Sequence, residues 1–522
     1  HAHTPTHAHT PTQAHTPTQA HTPTHAHTPT QAHTPTQAPH RMQLTWPAPS
    51  ARGLQDVSGL LHFHSPYSHD ACDGEGLDAA GNPNLECLED LRRDICSVPH
   101  RFFFLSDHPT HMQEYRFEEL YLYEPARGDV LLYDVTGLPI ANQFICETNS
   151  GPVTKYLMVG TEGNHNLLLG LDEHLEDPSN YSIGFGVEFD YNAQVEEIQQ
   201  TWDVGGLATV AHLEEDEVTS YRMLALNVDG VELYNAHSNV ENVMSRYPWV
   251  LLDLEDWVEG ATDAPTSDYV ALAMFPYRRM EPETKWDEMT PLQPTTALIG
   301  TDVHQNVTLD AYCQLPELSS LCQKLSRRYP NLIQYLEKGG PIPMADGSRL
   351  DSYRRMSSWF SNHLRMGELS PSHVEETLLS GRSYIAFDIL GLPLGFDFVG
   401  SRDGQTFLEM GAQTSLSSGM TLHVVLPKLS SIDVRGESWT EQELSKAEVR
   451  GELLRVSTNG PEVVATLSGA GAMLDHPVTL PGAYRVRVYI RPQHLTRELG
   501  SQKQYARDEY LWIWSNPLYV TE

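Results

Sequence analysis

The chain has 522 residues, and 69 Asp and Glu against 34 Lys and Arg leave a formal charge of −35 with histidine neutral. Affinity for a phosphate backbone needs clustered Lys and Arg, so this balance argues against nucleic acid as a partner. With 40% hydrophobic residues the chain can bury a large core, yet no apolar run approaches the roughly 20 residues of a bilayer-crossing helix, so no transmembrane segment is expected.

Residues 1–36 are six copies of the unit [His/Gln]-Ala-His-Thr-Pro-Thr, with Pro5, Pro11, Pro17, Pro23, Pro29 and Pro35 at the same place in each. A proline every sixth residue opposes helix and ladder pairing, and the unit has no large apolar side chain. Residues 1–50 therefore read as a disordered His/Thr/Pro repeat tail, a solvated spacer first and a loose metal-binding tract second. The chain begins at His1 and not at Met, which allows for a signal peptide or lipid anchor lost from upstream. Six cysteines, Cys72, Cys87, Cys96, Cys146, Cys313 and Cys322, show no C-x-x-C spacing, which argues against a structural zinc ribbon. Their even number permits disulfides and an exported protein; buried free thiols are the equal alternative.

From Leu60 short apolar runs alternate with amphipathic stretches. The pattern predicts strands at Gly59–His64, Arg101–Ser106, Tyr156–Gly160, Leu207–Ala211, Val231–Tyr234 and Ala297–Gly300. Helices are expected at Leu85–Cys96, Ala193–Trp202, Val240–Glu259 with a break near Pro248, and Glu317–Tyr329, which Pro330 should stop. Further helices are expected at Leu350–Met366 and near His373–Ser380. After Ser383 come period-two runs at Tyr384–Leu390, Thr421–Pro427, Glu462–Leu467 and Tyr484–Ile490. The order implies an α/β fold, a largely parallel sheet or barrel over 51–383 with a helical connection, followed by an all-β, sandwich-like C-terminal domain over 384–522.

Histidines and carboxylates sit at the carboxyl ends of these strands. His62-Phe63-His64 closes the first run, and strand alternation points both imidazoles the same way. Asp70 follows in a Pro- and Ser-containing loop. The later runs end in Ser106-Asp107-His108, in Thr161-Glu162-Gly163-Asn164-His165, in His212, and in Thr301-Asp302-Val303-His304. In parallel α/β architectures that edge binds ligands. One histidine after an apolar run is ordinarily a hydrogen-bonded structural residue, but five such endings argue for one shared site. Imidazole and carboxylate donors without thiolate suit Zn, Mn, Fe or Ni.

His62-Phe63-His64-Ser65 with Asp70, Ser106-Asp107-His108, Gly160-Thr161-Glu162, Ala211-His212 and Gly300-Thr301-Asp302-Val303-His304 resemble, in order, the motifs of the PHP (polymerase and histidinol phosphatase) superfamily. The resemblance covers about Gly59 to Asn306 and implies a distorted (β/α)7 barrel with two to three divalent transition metal ions, Zn, Mn or Fe. It implies that His62, His64, Glu162 and Asp302 share one ion, that Glu162 bridges to a second held by His165 and His212, and that Asp70, His108 and His304 hold a third. His174 competes with His165 for its place; the run Asn166-Leu167-Leu168-Leu169-Gly170 after His165 favours the latter. Asp351-Ser352-Tyr353, Gly381-Arg382-Ser383-Tyr384 and Trp514-Ser515-Asn516-Pro517 resemble the larger bacterial, carbaryl-hydrolase-like members that add a β-rich domain. A bacterial extracytoplasmic location is favoured over the cytoplasm by the spacer-like tail, the cysteines and the acidic surface.

The expected reaction is metal-dependent hydrolysis of a small-molecule phosphoester; a carbamate, ester or amide substrate, and a binding protein without catalysis, are the alternatives. Asp107 would orient a ligand imidazole or shuttle a proton. Arg382 or Arg116 would hold a phosphate. The acidic run Glu214-Glu215-Asp216-Glu217 reads as a solvated loop or first helical turn.

Overall fold

The computed structural model describes residues 53–148, 151–176, 190–246, 250–259, 263–277, 279–402 and 406–522. The repeat tail and the expected break near Pro248 lie outside them. Seven strands carry the site: β1 (Gln55–Leu60), β2 (Phe102–Leu105), β3 (Gly151–Gly163), β4 (Asn166–Leu171), β5 (Leu207–Val210), β6 (Gly230–Asn235) and β7 (Thr296–Gly300). β1, β2 and β3 are parallel neighbours, as are β5, β6 and β7. Between the two sets lies β4, antiparallel to β3 and to β5. Past the strand ends the first and last close on each other through a parallel bridge between Phe63 and Val303, with Asp302 N donating to His62 O at 2.8 Å.

Alternation divides the strand residues between two buried layers. Phe102, Phe104, Met158, Leu207 and Leu298 pack together in one, while Phe103, Leu105, Leu157, Val159, Val210 and Ile299 belong to the larger core that also takes in the helices. Continuing the period of two from Met158 along β3 leads to Glu162, so one face of this strand passes from apolar packing to a polar donor. The helices flanking the strands start where a side chain satisfies their free amides. Asn84 caps Leu85–Ser97, and Asp190 caps Tyr191–Asp203.

The segment Leu350–Met366 departs from its expected helix. Only Tyr353–Ser357 is helical, and Ser361–Met366 is a strand antiparallel to β1. The open edge of β1 supplies a hydrogen-bonding partner that overrides local propensity. Pro330 does not merely stop a helix; the first ends at Leu325 and Pro330 opens the next, Pro330–Lys338, where its missing N–H costs nothing.

The sheet then continues through Ser383–Ala386 to Tyr510–Ser515 and Gly482–Arg491. The architecture is thus mixed α/β, with a large sheet and a second β-rich region that includes a separate four-stranded sheet. Two asparagines finish the free edge of β7: Asn362 bonds both N and O of Ile299, and Asn516 both N and O of Ala297. All six cysteines are paired, as Cys72–Cys87, Cys96–Cys146 and Cys313–Cys322, which resolves the choice between disulfides and free thiols. Among the described residues no helix is long and apolar enough to cross a membrane.

Candidate metal centre

Two groups of metal-competent donors converge at the carboxyl ends of the parallel strands. In one, His62, His64, Glu162 and Asp302 have donor atoms within 4.8 Å of one another; in the other, His64, Asp70, His108 and His304 do. His64 is common to both, where the sequence assigned it to one ion. His212 joins through its Nε2, 2.8 Å from Glu162 Oε1 and 3.7 Å from Asp302 Oδ2. The His165 ring lies 6.0 Å from that of His212, outside both groups. His174 is elsewhere, with Nε2 2.8 Å from Tyr115 O.

The backbone is bent to make this convergence. His165, His212 and Asp302 have φ of 62°, 54° and 51°, left-handed values that side-chain-bearing residues seldom adopt. Such strain costs about 1–3 kcal/mol per residue and concentrates at functional sites. Gly300 supplies space in the same place, since a Cβ there would lie 2.6 Å from His62 Cβ and run into Glu232 Oε1.

Four imidazoles are oriented alike. Outward nitrogens have partners: His62 Nδ1 is 2.9 Å from Glu232 Oε1, and His64 Nδ1 is 3.1 Å from Ser68 Oγ. His108 Nδ1 is 3.0 Å from Glu162 O, and His212 Nδ1 is 2.9 Å from Glu214 Oε1 and 3.0 Å from Ser238 Oγ. With Nδ1 carrying the proton, each Nε2 presents a lone pair inward. His62 Nε2 then faces Glu162 Oε2 at 3.0 Å and Asp302 Oδ1 at 3.2 Å, acceptor against acceptor. Among the described residues His62 Nε2, His64 Nε2, Glu162 Oε1, Asp302 Oδ1 and both nitrogens of His304 are buried without a hydrogen-bond partner. Only a proton or a cation relieves such a face-off, and this donor set fits divalent metal ions.

The electrostatics agree. Burial pushes the His62 imidazole down, but Asp302, Glu162 and Glu232 outweigh it and hold its pKa well above the ordinary value. Burial likewise works against the charged carboxyls of Glu162 and Asp302, and the surrounding histidines still hold both well below the usual carboxylate range. Burial drives His165 and His304 down to about 3, helped by His212 beside the first and by His64 and His237 beside the second, against the pull of Asp70 and Asp302 on His304.

Asp107 does not face the cluster. Its carboxylate accepts from Ser65 N and Ser65 Oγ, each at 2.6 Å, and so fixes the turn after His64. The two candidate arginines make their polar contacts outside the cluster. Arg116, largely exposed, pairs with Glu119 in a capping box of the helix Phe117–Leu120. Arg382 reaches Glu376 and Thr377, and its carbonyl accepts from Arg365, which is registered opposite Asp56 at the amino end of β1. It therefore sits at the far end of the strands from His62.

Residues absent from the sequence reading complete the centre. Glu232 on β6 holds His62, and Asn235 donates to both Glu232 Oε2 and Asp302 Oδ2. The signal was a lone glutamate in the apolar strand Val231–Tyr234, and charge is rarely buried unpaired. His237 packs edge-on against His304, with ring centres 4.9 Å apart. Glu214 is buried against His212, so the acidic run is not wholly solvated.

No protein-family model and no curated protein matches the chain. Among solved structures it is similar to a two-domain protein from Bacteroides vulgatus containing a predicted PHP-like metal-dependent phosphoesterase, at 10% identity and a TM-score of 0.27, over 91% of this chain and 99% of the other. The functional reading therefore rests on the side chains of the cluster itself.

Proposed function

We propose that this protein is a metal-dependent hydrolase of the PHP kind that cleaves small-molecule phosphomonoesters. In this reading the seven strands form a distorted (β/α)7 barrel extended by the β-rich region. His62, His64, Asp70, His108, Glu162, His165, His212, Asp302 and His304 hold two to three Zn, Mn or Fe ions. The carrying observation is the inward aim of four imidazole Nε2 atoms at buried carboxylates that offer no proton. Bound divalent ions supply Lewis acidity that polarises a phosphoryl oxygen and activates water.

The chain's own groups do the rest. Glu232 and Ser68 keep the Nε2 lone pairs of His62 and His64 pointing inward. Asp107 fixes the Ser65 turn, and with it the loop that returns Asp70 to His108 and His304. Asp70, at 29% exposed, and His212, at 13%, are the ligands nearest solvent, whereas His62 and His64 are fully enclosed. Substrate meets the centre from the Asp70 and His212 side. The three disulfides support residence in an oxidising compartment.

The test is elemental analysis together with p-nitrophenyl phosphate turnover by chelator-treated protein given back Mn or Zn. Two to three bound ions, turnover that depends on them, and its loss in His62→Ala are expected. Metal-dependent cleavage of a naphthyl carbamate without phosphatase activity would reassign the substrate, and absence of bound metal would end the proposal.

A further inference from the structure

Beyond the cluster, an open cleft of about 720 Å³ is lined by Thr219, Asn242, Arg279 and Lys285 together with the carboxylates Glu281 and Glu288. A smaller cavity has Arg279 and Asn242 in its wall too, but its other side is made by Glu214, Ser238 and Asn235. Glu214 and Ser238 are the groups that hold His212 Nδ1, and Asn235 holds Asp302. Arg279 thus stands where the cleft adjoins the surroundings of the metal centre.

Its guanidinium is poorly matched by the protein. Nε is buried without a hydrogen-bond partner, and the nearest carboxylates stand off at 3.7 Å, Glu281, and 3.8 Å, Asp216. Both carboxylates are more than half exposed and free to stay in water. Lys285 is committed differently, its Nζ donating to Leu213 O and Glu215 O at 2.6 Å each, which anchors the loop after His212. Arg279 lines the cleft wall with its side chain 18% exposed, and a guanidinium held this loosely by the protein is satisfied when a ligand brings an acceptor, for which its planar fork suits a carboxylate or phosphate.

We infer that Arg279 is the anion-binding residue of a substrate subsite, and that the substrate carries, beyond the ester cleaved at the metal centre, a second acidic oxygen group on its leaving portion. The inference rests on the hydrolase reading and narrows its substrate class to esters with an anionic leaving group. Neither Arg116 nor Arg382 serves there, since both lie elsewhere.

The experiment compares kcat/KM for carboxyphenyl phosphate and phenyl phosphate in the wild type, Arg279→Ala and Arg279→Lys. The ratio of the two values should fall at least ten-fold in Arg279→Ala, mostly through KM, and recover in part in Arg279→Lys. An unchanged ratio overturns the subsite and leaves the hydrolase reading standing. Should neither ester be cleaved, that reading falls and binding decides for Arg279: calorimetry of chelator-treated protein with inorganic phosphate should show at least ten-fold weaker binding in Arg279→Ala, and equal or absent binding in both proteins overturns the inference.

Discussion

His62 and Glu232 meet in the closed interior of the strands, Nδ1 to Oε1 at 2.9 Å, with both side chains withdrawn from solvent. The carboxylate does not stop there, since its other oxygen accepts from His212 N at 3.2 Å and Asn235 Nδ2 at 3.1 Å. One residue of β6 therefore orients the His62 imidazole just past β1 and the backbone of His212 after β5. Carboxylates that hold a ligand imidazole typically raise metal affinity 10–100-fold. Glu232→Ala is expected to weaken metal binding by about that factor while the chain still folds. Metal content after dialysis against a graded chelator measures it, and wild-type retention would remove Glu232 from the centre.

Why Glu232 escaped the sequence while His62 did not has a physical reason. His62, Glu162, His212 and Asp302 each follow an apolar run at a strand's carboxyl end, where position in the strand tells position in space. Glu232 sits inside its strand and acts through a neighbour, which no local pattern displays. Arg382 failed for a related cause: Gly-Arg-Ser looks like a loop motif, but the pairing of Ser361–Met366 with β1 sends it to the opposite end. The helical pattern of Leu350–Met366 conceals that pairing. The run from Asn166 to Gly170 after His165 is visibly apolar, yet the role of β4 as the antiparallel strand between β3 and β5 depends on long-range register.

At the amino end of β1, His363 Nδ1 lies 2.9 Å from Asp56 Oδ1, with Tyr384 stacked on the imidazole at 4.6 Å. Burial opposes charge on His363, but Asp56 and Asp388 prevail and raise its pKa to about 10. A group raised in the folded state stabilises fully below its unfolded pKa of about 6.5 and loses that contribution as pH climbs through the folded value. The melting temperature of His363→Gln should thus trail the wild type most below pH 6.5, with the gap narrowing toward pH 10. A gap constant over that interval would show that the charge on His363 contributes nothing.

The Cys72–Cys87 bond ties the Asp70 loop to the helix Leu85–Ser97. Cys72 N also donates to His304 O at 2.8 Å, so the bridge stands two residues from Asp70 and against the backbone of His304. A closed loop of 15 residues is worth about 3 kcal/mol in the chain-entropy account. Cys72→Ala with Cys87→Ala should lower stability by about that amount and loosen the ion nearest Asp70 ahead of the one between His62 and Asp302. Denaturant unfolding gives the first quantity and stepwise metal release the second; simultaneous release of all ions would contradict the link to Asp70.

Arg485, fully buried on the strand Gly482–Arg491, places its Nη2 2.8 Å from Glu283 Oε1 and 2.8 Å from Asp287 Oδ1, with the guanidinium 4.8 Å over the Trp286 ring. All three partners belong to the helix Glu281–Met289, so this group fastens the β-rich region to the helix before β7. Removing the cation strands Asp287 away from water, while Glu283 keeps Arg487 and the Trp514 indole, and breaking a buried pair in this way costs about 3–5 kcal/mol. Arg485→Met should therefore destabilise by that order in denaturant unfolding. Adding Asp287→Asn should restore part of the loss, because the uncompensated charge goes with it. If the double variant is no more stable than Arg485→Met, the loss belongs to packing against Trp286 and not to the buried charge.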